Sequence, residues 1–215
     1  MRYAELSAPW QRVFALAWES VCAGSRAIGA VIADDAGHIL AEGRNRTGES
    51  DLPNPSAVHA ETEAIRALNT AAHPDKRSYT LYAGLEPCIM CMGTIVMGGI
   101  RRVEIAARDD FGGAMGLIDQ FAFARSKGIQ IHFRDDVLGD IQRGMQTIRE
   151  LFQQQDSARL ERILTDFSLY NRAGVDAAKQ LVEAGWFTEK RSADYSAQEI
   201  CDALAVRCEV LHGSL

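Results

Sequence analysis

One histidine, one glutamate and two cysteines carry the chemistry most directly legible in this 215-residue sequence. His59-Ala60-Glu61 stands at the start of one expected helix, and Pro87-Cys88-Ile89-Met90-Cys91 at the start of another. An imidazole and two thiols are ligands that zinc prefers, and three of them are one short of the closed tetrahedron of a structural site. The open position suits a water, which zinc makes more acidic. Cys88 and Cys91 share a helix face, at a helix start whose free N–H groups favour thiolates. Glu61 lies about 200° round a regular helix from His59, at 3.6 residues per turn. Its carboxylate therefore belongs beside the metal, where it is suited to carrying protons.

Hydrophobic periodicity indicates the elements that must hold these groups. Trp10, Val13, Phe14, Ala17, Trp18 and Val21 recur at helical intervals after Ser7 and Pro9, which predicts a first helix. Residues 27–33 and 38–45 flank the turn Asp34-Asp35-Ala36-Gly37 and read as a hairpin. A helix over residues 57–72, with Ser56 as its candidate cap, would bear His59. A strand over 79–83 delivers Glu86 and Pro87 to a helix over 88–97 that Gly98-Gly99 ends. Strands over 102–107 and 129–133 complete a sheet whose strands three to five should run parallel, because helical crossovers join them. The expected architecture is three-layer α/β/α around a five-stranded mixed sheet, with ligands beyond the carboxyl ends of the strands. From Val137 onward the pattern is helical, including a capping box at Ser196-Ala197-Gln198-Glu199.

The pairing of H-x-E with a later P-C-x-x-C resembles the zinc-dependent nucleobase and nucleoside deaminases. The run Glu86 to Gly93, followed by Arg102-Val103, Ala107-Arg108-Asp109 and Gly113-Ala114, resembles the cytidine deaminase-like branch that holds tRNA adenosine, guanine and cytosine deaminases. The resemblance covers residues 8–152 and implies the same fold. A core domain over 1–152 is then followed by a helical extension over 153–215, which either packs on the core or at a subunit contact, or covers the site. One zinc ion per chain on His59, Cys88 and Cys91 is expected, with Glu61 as the catalytic proton carrier. The resemblance also implies that Asn45 bonds the substrate, the alternative being a turn role, which asparagine also suits. It places Asp109 at the pocket border, where a cap or turn role is the alternative, and Phe111 either walls the pocket or simply packs. Backbone N–H groups of Ala60 and Cys88 are candidates for holding ligand and water. A homodimer is the family's common assembly.

Composition bounds the function classes. Hydrophobic content of 47% with 24% charged residues is that of an ordinary globular enzyme. No apolar run reaches the length of a membrane span, and the first residues lack the blocks of a secretory signal, so a cytoplasmic setting is expected. The five cysteines are not a disulfide framework, and Cys22, Cys201 and Cys208 read as buried apolar residues. Met90, Met92 and Met97 read as core. A net charge of −6 argues against nucleic acid as the main partner, since phosphate neutralisation supplies most of that affinity. Arg44, Arg46, Arg101, Arg102 and Arg108 near the pocket edge are either phosphate-gripping or solvated. The expected reaction is hydrolytic deamination of a small nucleobase or nucleoside, guanine, cytosine or a cytidine relative. The alternatives are adenosine editing in tRNA and a non-catalytic zinc-binding interaction module.

Overall fold

Strand β1 (Gly29–Ala33) is buried along its whole length, because it pairs on both sides and is covered on both faces. In this computed structural model, which describes residues 1–188 and 191–213, it follows helix α1 (Ala8–Cys22) and turns back into β2 (Ile39–Arg44). Helix α2 (Ala60–Ala67), strand β3 (Thr80–Leu85), helix α3 (Ile89–Gly98) and strand β4 (Arg102–Ala107) come next. A short α4 (Ala122–Arg125) precedes the edge strand β5 (Gln130–Phe133). The remainder is helical: α5 (Val137–Gln153), α6 (Ser157–Glu183) and α7 (Ala197–Gly213). The sheet order is β2-β1-β3-β4-β5, antiparallel on either side of β1 and parallel from β3 to β5. This is the mixed five-stranded sheet that the pattern predicts. No helix of the described residues is long and apolar enough to cross a membrane.

Period-two alternation in β1 divides the core into two layers. Val31 points to the face covered by α1, α5, α6 and α7, whereas Ala30 and Ile32 point to the face covered by α2 and α3. The apolar stripe of α1, from Trp10 to Val21, is buried as its spacing requires. Helix α5 is buried on nearly all sides, since α6 and α7 cover the flank that an amphipathic reading leaves to solvent. The capping box forms: Glu199 N–H donates to Ser196 Oγ, and Ser196 N–H donates to Glu199 Oε2.

Several local expectations are corrected. The second helix starts at Ala60 rather than 57, because Pro55–Ala57 forms a separate 3-10 turn and His59 is extended. It ends at Ala67, and the Asn69 side chain accepts from Ala71 and Ala72 N–H to begin a turn. In the extension, the apolar residues around Leu164 and around Leu181 lie on one helix, α6, bent at Asn171 where φ is −129° and ψ is 50°. Cys22 is exposed at the last residue of α1, unlike Cys201 and Cys208, which are buried. Met97 is likewise exposed, on the outer side of α3, while Met92 is buried.

Candidate active site

The parallel strands β3 and β4 end side by side, and their carboxyl ends supply Glu86-Pro87-Cys88 and Arg108-Asp109. Because β1 runs antiparallel to β3 and β2 antiparallel to β1, the start of β1 and the end of β2 reach the same edge. Asn45 therefore arrives next to Arg26, whose N–H donates to Asn45 Oδ1 at 3.3 Å. His59 and Cys88 are each the residue before the first turn of a helix, with β-region dihedrals. Their side chains project from the two helix starts toward one another.

His59 Nδ1 is 3.5 Å from Cys88 Sγ and 3.6 Å from Cys91 Sγ. Bond lengths of about 2.0–2.1 Å to nitrogen and about 2.3 Å to sulfur give a tetrahedral N-to-S edge of about 3.6 Å, so the donors stand where zinc needs them. Among the described residues these three form the one histidine, cysteine and carboxylate group spaced for a metal. His38, His132 and His212 are engaged with Asp34, Glu104 and Asp140, and His73 packs edge-on against Tyr79, so among the described residues no second histidine joins the group.

Glu61 lies in the first turn of α2, buried at 4% exposure, with Oε2 3.4 Å from Cys91 Sγ. His59 precedes the helix rather than belonging to it, so the two side chains converge across the helix start instead of diverging by a fixed helical angle. Burial pushes the Glu61 carboxyl up from its ordinary value. The Cys88 thiol is lowered to about 3, first by its hydrogen bond from Cys91 and also by His59. Cys91, the donor of that bond and itself buried, is raised. His59 is raised by its bond to Cys88.

Asn45 is fully buried, and its Oδ1 also accepts from Thr47 N–H at 3.1 Å and Thr47 Oγ1 at 2.8 Å. Its Nδ2 is buried with no partner among the described residues. Asp109 lies at the edge of the adjoining cavity, held 3.3 Å from the buried guanidinium of Arg143. Phe111 stands at the rim of that cavity with 89% of its surface exposed, so it borders the space without being packed. Glu86, which sequence reasoning passed over as part of a motif, receives Asp109 N–H on Oε2 and Met115 N–H on Oε1. It ties the loop after β4 to the strand that delivers Cys88.

Four of the five arginines near the pocket edge are engaged in ion pairs, and Arg101 donates to Ile100 O. Arg44 and Arg46 pair with Glu49, Arg102 with Asp35, and Arg108 with Asp135.

Residues 5–107 match the model of the cytidine and deoxycytidylate deaminase zinc-binding region. A guanine deaminase of Bacillus subtilis is 36% identical over 115 residues, which cover 53% of this chain and 71% of that one. This chain belongs to the cytidine and deoxycytidylate deaminase family. A second member, a tRNA-specific adenosine deaminase of Haemophilus influenzae, is 39% identical over 103 residues, covering 47% of this chain and 57% of its own. The chain spans about half the length of several of the curated deaminases that it matches. A solved guanine deaminase from Nitrosomonas europaea superposes with a TM-score of 0.54 at 23% identity, covering 68% of this chain and 86% of that one, and shares the deaminase fold. The family's zinc-binding region contains His59 and Cys88 and Cys91, the group spaced for the metal.

Proposed function

We propose that this chain is a hydrolytic deaminase of a small nucleobase or nucleoside of the guanine, cytosine or cytidine kind. Water adds to the amino-bearing ring carbon, the C–N bond breaks, and the amine departs as ammonia to leave a carbonyl. The observation that carries the reading is the three-donor set with one buried carboxylate, Glu61, standing against it.

Zinc held by His59, Cys88 and Cys91 would supply a nucleophile at neutral pH by acidifying water. Glu61 takes the proton from the attacking water and returns it to the departing amine. Its burial suits both steps, since a carboxyl raised above its usual range holds a proton more readily. Asn45 directs its unpartnered Nδ2 at an acceptor on the substrate. The first-turn N–H groups of α2 and α3, beginning with Ala60 and with Cys88 before α3, face the same edge and suit an oxygen. Asp109 and Phe111 border the entry to the site.

The test is ammonia release by the zinc-loaded protein across bases and nucleosides, with Glu61→Gln alongside. We expect one small compound to be turned over, and the variant to lose about 10²- to 10⁴-fold in kcat, the range for a general acid–base group, with zinc content unchanged. Near wild-type turnover by Glu61→Gln would remove Glu61 from the chemistry. Similarity to the Haemophilus influenzae enzyme favours a second reading, adenosine deamination in tRNA. Inosine formed in a tRNA transcript, with every small compound inert, would establish that reading in place of the first.

A further inference from the structure

The extension builds a cavity of about 550 Å³ against the edge that carries the candidate active site. Leu85, three residues before Cys88, forms part of its wall, as does Asp109 after β4. Arg26 lines it too, and its backbone N–H binds Asn45. Its floor is α5 and its roof is the first half of α6, where Ile163 and Phe167 face inward. That volume lies within the range of about 300–1,000 Å³ that suits small-molecule sites.

Its charge is the informative property. Five arginines line it: Arg26, Arg143, Arg149, Arg159 and Arg162. Against them stand three acids, Asp109, Glu150 and Asp166, an excess of two positive charges in a chain whose net charge is −6. Asp109 is already paired with Arg143, and Glu150 with Arg149. Arg149 keeps a buried Nε that has no hydrogen-bond partner among the described residues. Arg26, Arg159 and Arg162 are solvent-exposed, form no ion pair among the described residues, and are all residues of the cavity lining. Guanidinium groups stay charged and present paired donors that match phosphate oxygens. Bringing several together without counter-charge costs repulsion that a bound anion relieves.

We infer that this cavity binds the phosphate of a small phosphorylated substrate, a nucleoside monophosphate whose amine-bearing ring reaches the zinc ligands. The inference rests on the deaminase reading above and extends its substrate class from the nucleoside to the nucleoside monophosphate. A mononucleotide suits the space better than a polynucleotide. Helix α6 roofs the cavity, and the four surface arginines beyond it, Arg44, Arg46, Arg102 and Arg108, are already ion-paired, two of them to the same Glu49. A continuous track of free cations, which phosphate-backbone binding requires, is not formed by them.

The test is calorimetric binding to the zinc-loaded full chain at fixed low salt. The probes are inorganic phosphate and the 5′-monophosphates of guanosine, cytidine and adenosine, each against its nucleoside. The proteins are the wild type, the double variant Arg159→Gln/Arg162→Gln, and Arg172→Gln. Arg172 is a control on the same helix, outside the cavity and paired with Asp176. We expect at least one monophosphate to bind tenfold or more tighter than its nucleoside, the double variant to remove that advantage, and Arg172→Gln to keep it. Equal binding of monophosphate and nucleoside, or equal loss in Arg172→Gln, overturns the inference. So does tRNA binding that the double variant abolishes when no mononucleotide binds. Ammonia release on the same compounds separates the two readings. Monophosphate binding without ammonia would reject the reaction and keep the anion site; ammonia from nucleosides with no phosphate preference would do the reverse.

Discussion

Asn45 uses one half of its amide for the fold and leaves the other half unpartnered among the described residues. Its Oδ1 accepts from Arg26 N–H, Thr47 N–H and Thr47 Oγ1, while its buried Nδ2 has no partner among the described residues. A buried donor without an acceptor costs about 1–3 kcal/mol, so the position is explained best by a ligand that supplies one. Asn45→Asp separates the roles, because it keeps an acceptor for three bonds and removes the donor. We expect kcat/KM to fall about tenfold or more, equivalent to about 1.4 kcal/mol for one lost hydrogen bond, with the melting temperature changed by only a few degrees. A large loss of stability with kcat/KM intact would make Asn45 a structural residue only. The group spaced for a metal was legible in the sequence because few residue types bind zinc and the two short motifs bring three of them to helix starts. The arginines of the cavity were not: Arg143 and Arg149 stand among the apolar residues Ile141, Met145 and Ile148 of α5, and Arg159 and Arg162 come from a different helix. Only the packing of α6 against α5 brings them together.

At the scale of elements, the site depends on where two helices begin. Helix α2 rests on β2 so closely that a Cβ on Gly43 would lie 2.3 Å from Ala60 O and 2.5 Å from Ala64 N. That contact sets the distance of His59 and Glu61 from the sheet, and hence from Cys88. Gly43→Ala should push the helix outward, costing about 1–3 kcal/mol as overpacking does and weakening zinc retention. Thermal unfolding and competition with a zinc chelator would read the two effects. The same change at Gly116, where a Cβ meets nothing within 4 Å, should do neither. If Gly43→Ala kept wild-type zinc affinity, the approach of α2 to β2 would not be what positions His59. The strands were legible to within two residues, since their apolar runs are bounded by turns on both sides. The start of α2 was not, because the proline-led turn at Pro55–Ala57 and the extended His59 replace a helical turn that composition alone would favour.

At the scale of the whole molecule, the question is whether residues beyond the family core form a separate unit. Their apolar faces answer it physically. Leu181 of α6 and Ile200, Leu204 and Cys208 of α7 are buried in the same cluster as Phe14 and Trp18 of α1 and Met145 of α5. Trp18 also donates its indole N–H to Tyr195 O, across the approach to α7. Helix α7 comes close to α5 where Leu204 covers Gly144, whose added Cβ would lie 2.7 Å from Leu204 Cδ2. Shared burial of this kind couples the extension to the sheet, so the chain should unfold as one. Leu204→Ala deletes a fully buried side chain far from the zinc ligands, and large-to-small changes at such sites cost about 2–5 kcal/mol. The expected result is a single transition at lower temperature, in which loss of helical signal and release of zinc coincide. Two transitions, with zinc kept until the second, would mean that the extension folds independently. The roof over the arginine cavity would then be able to open without disturbing the metal. Coincident loss would instead fix that roof to the core, making its arginines as permanent a part of the site as the ligands themselves.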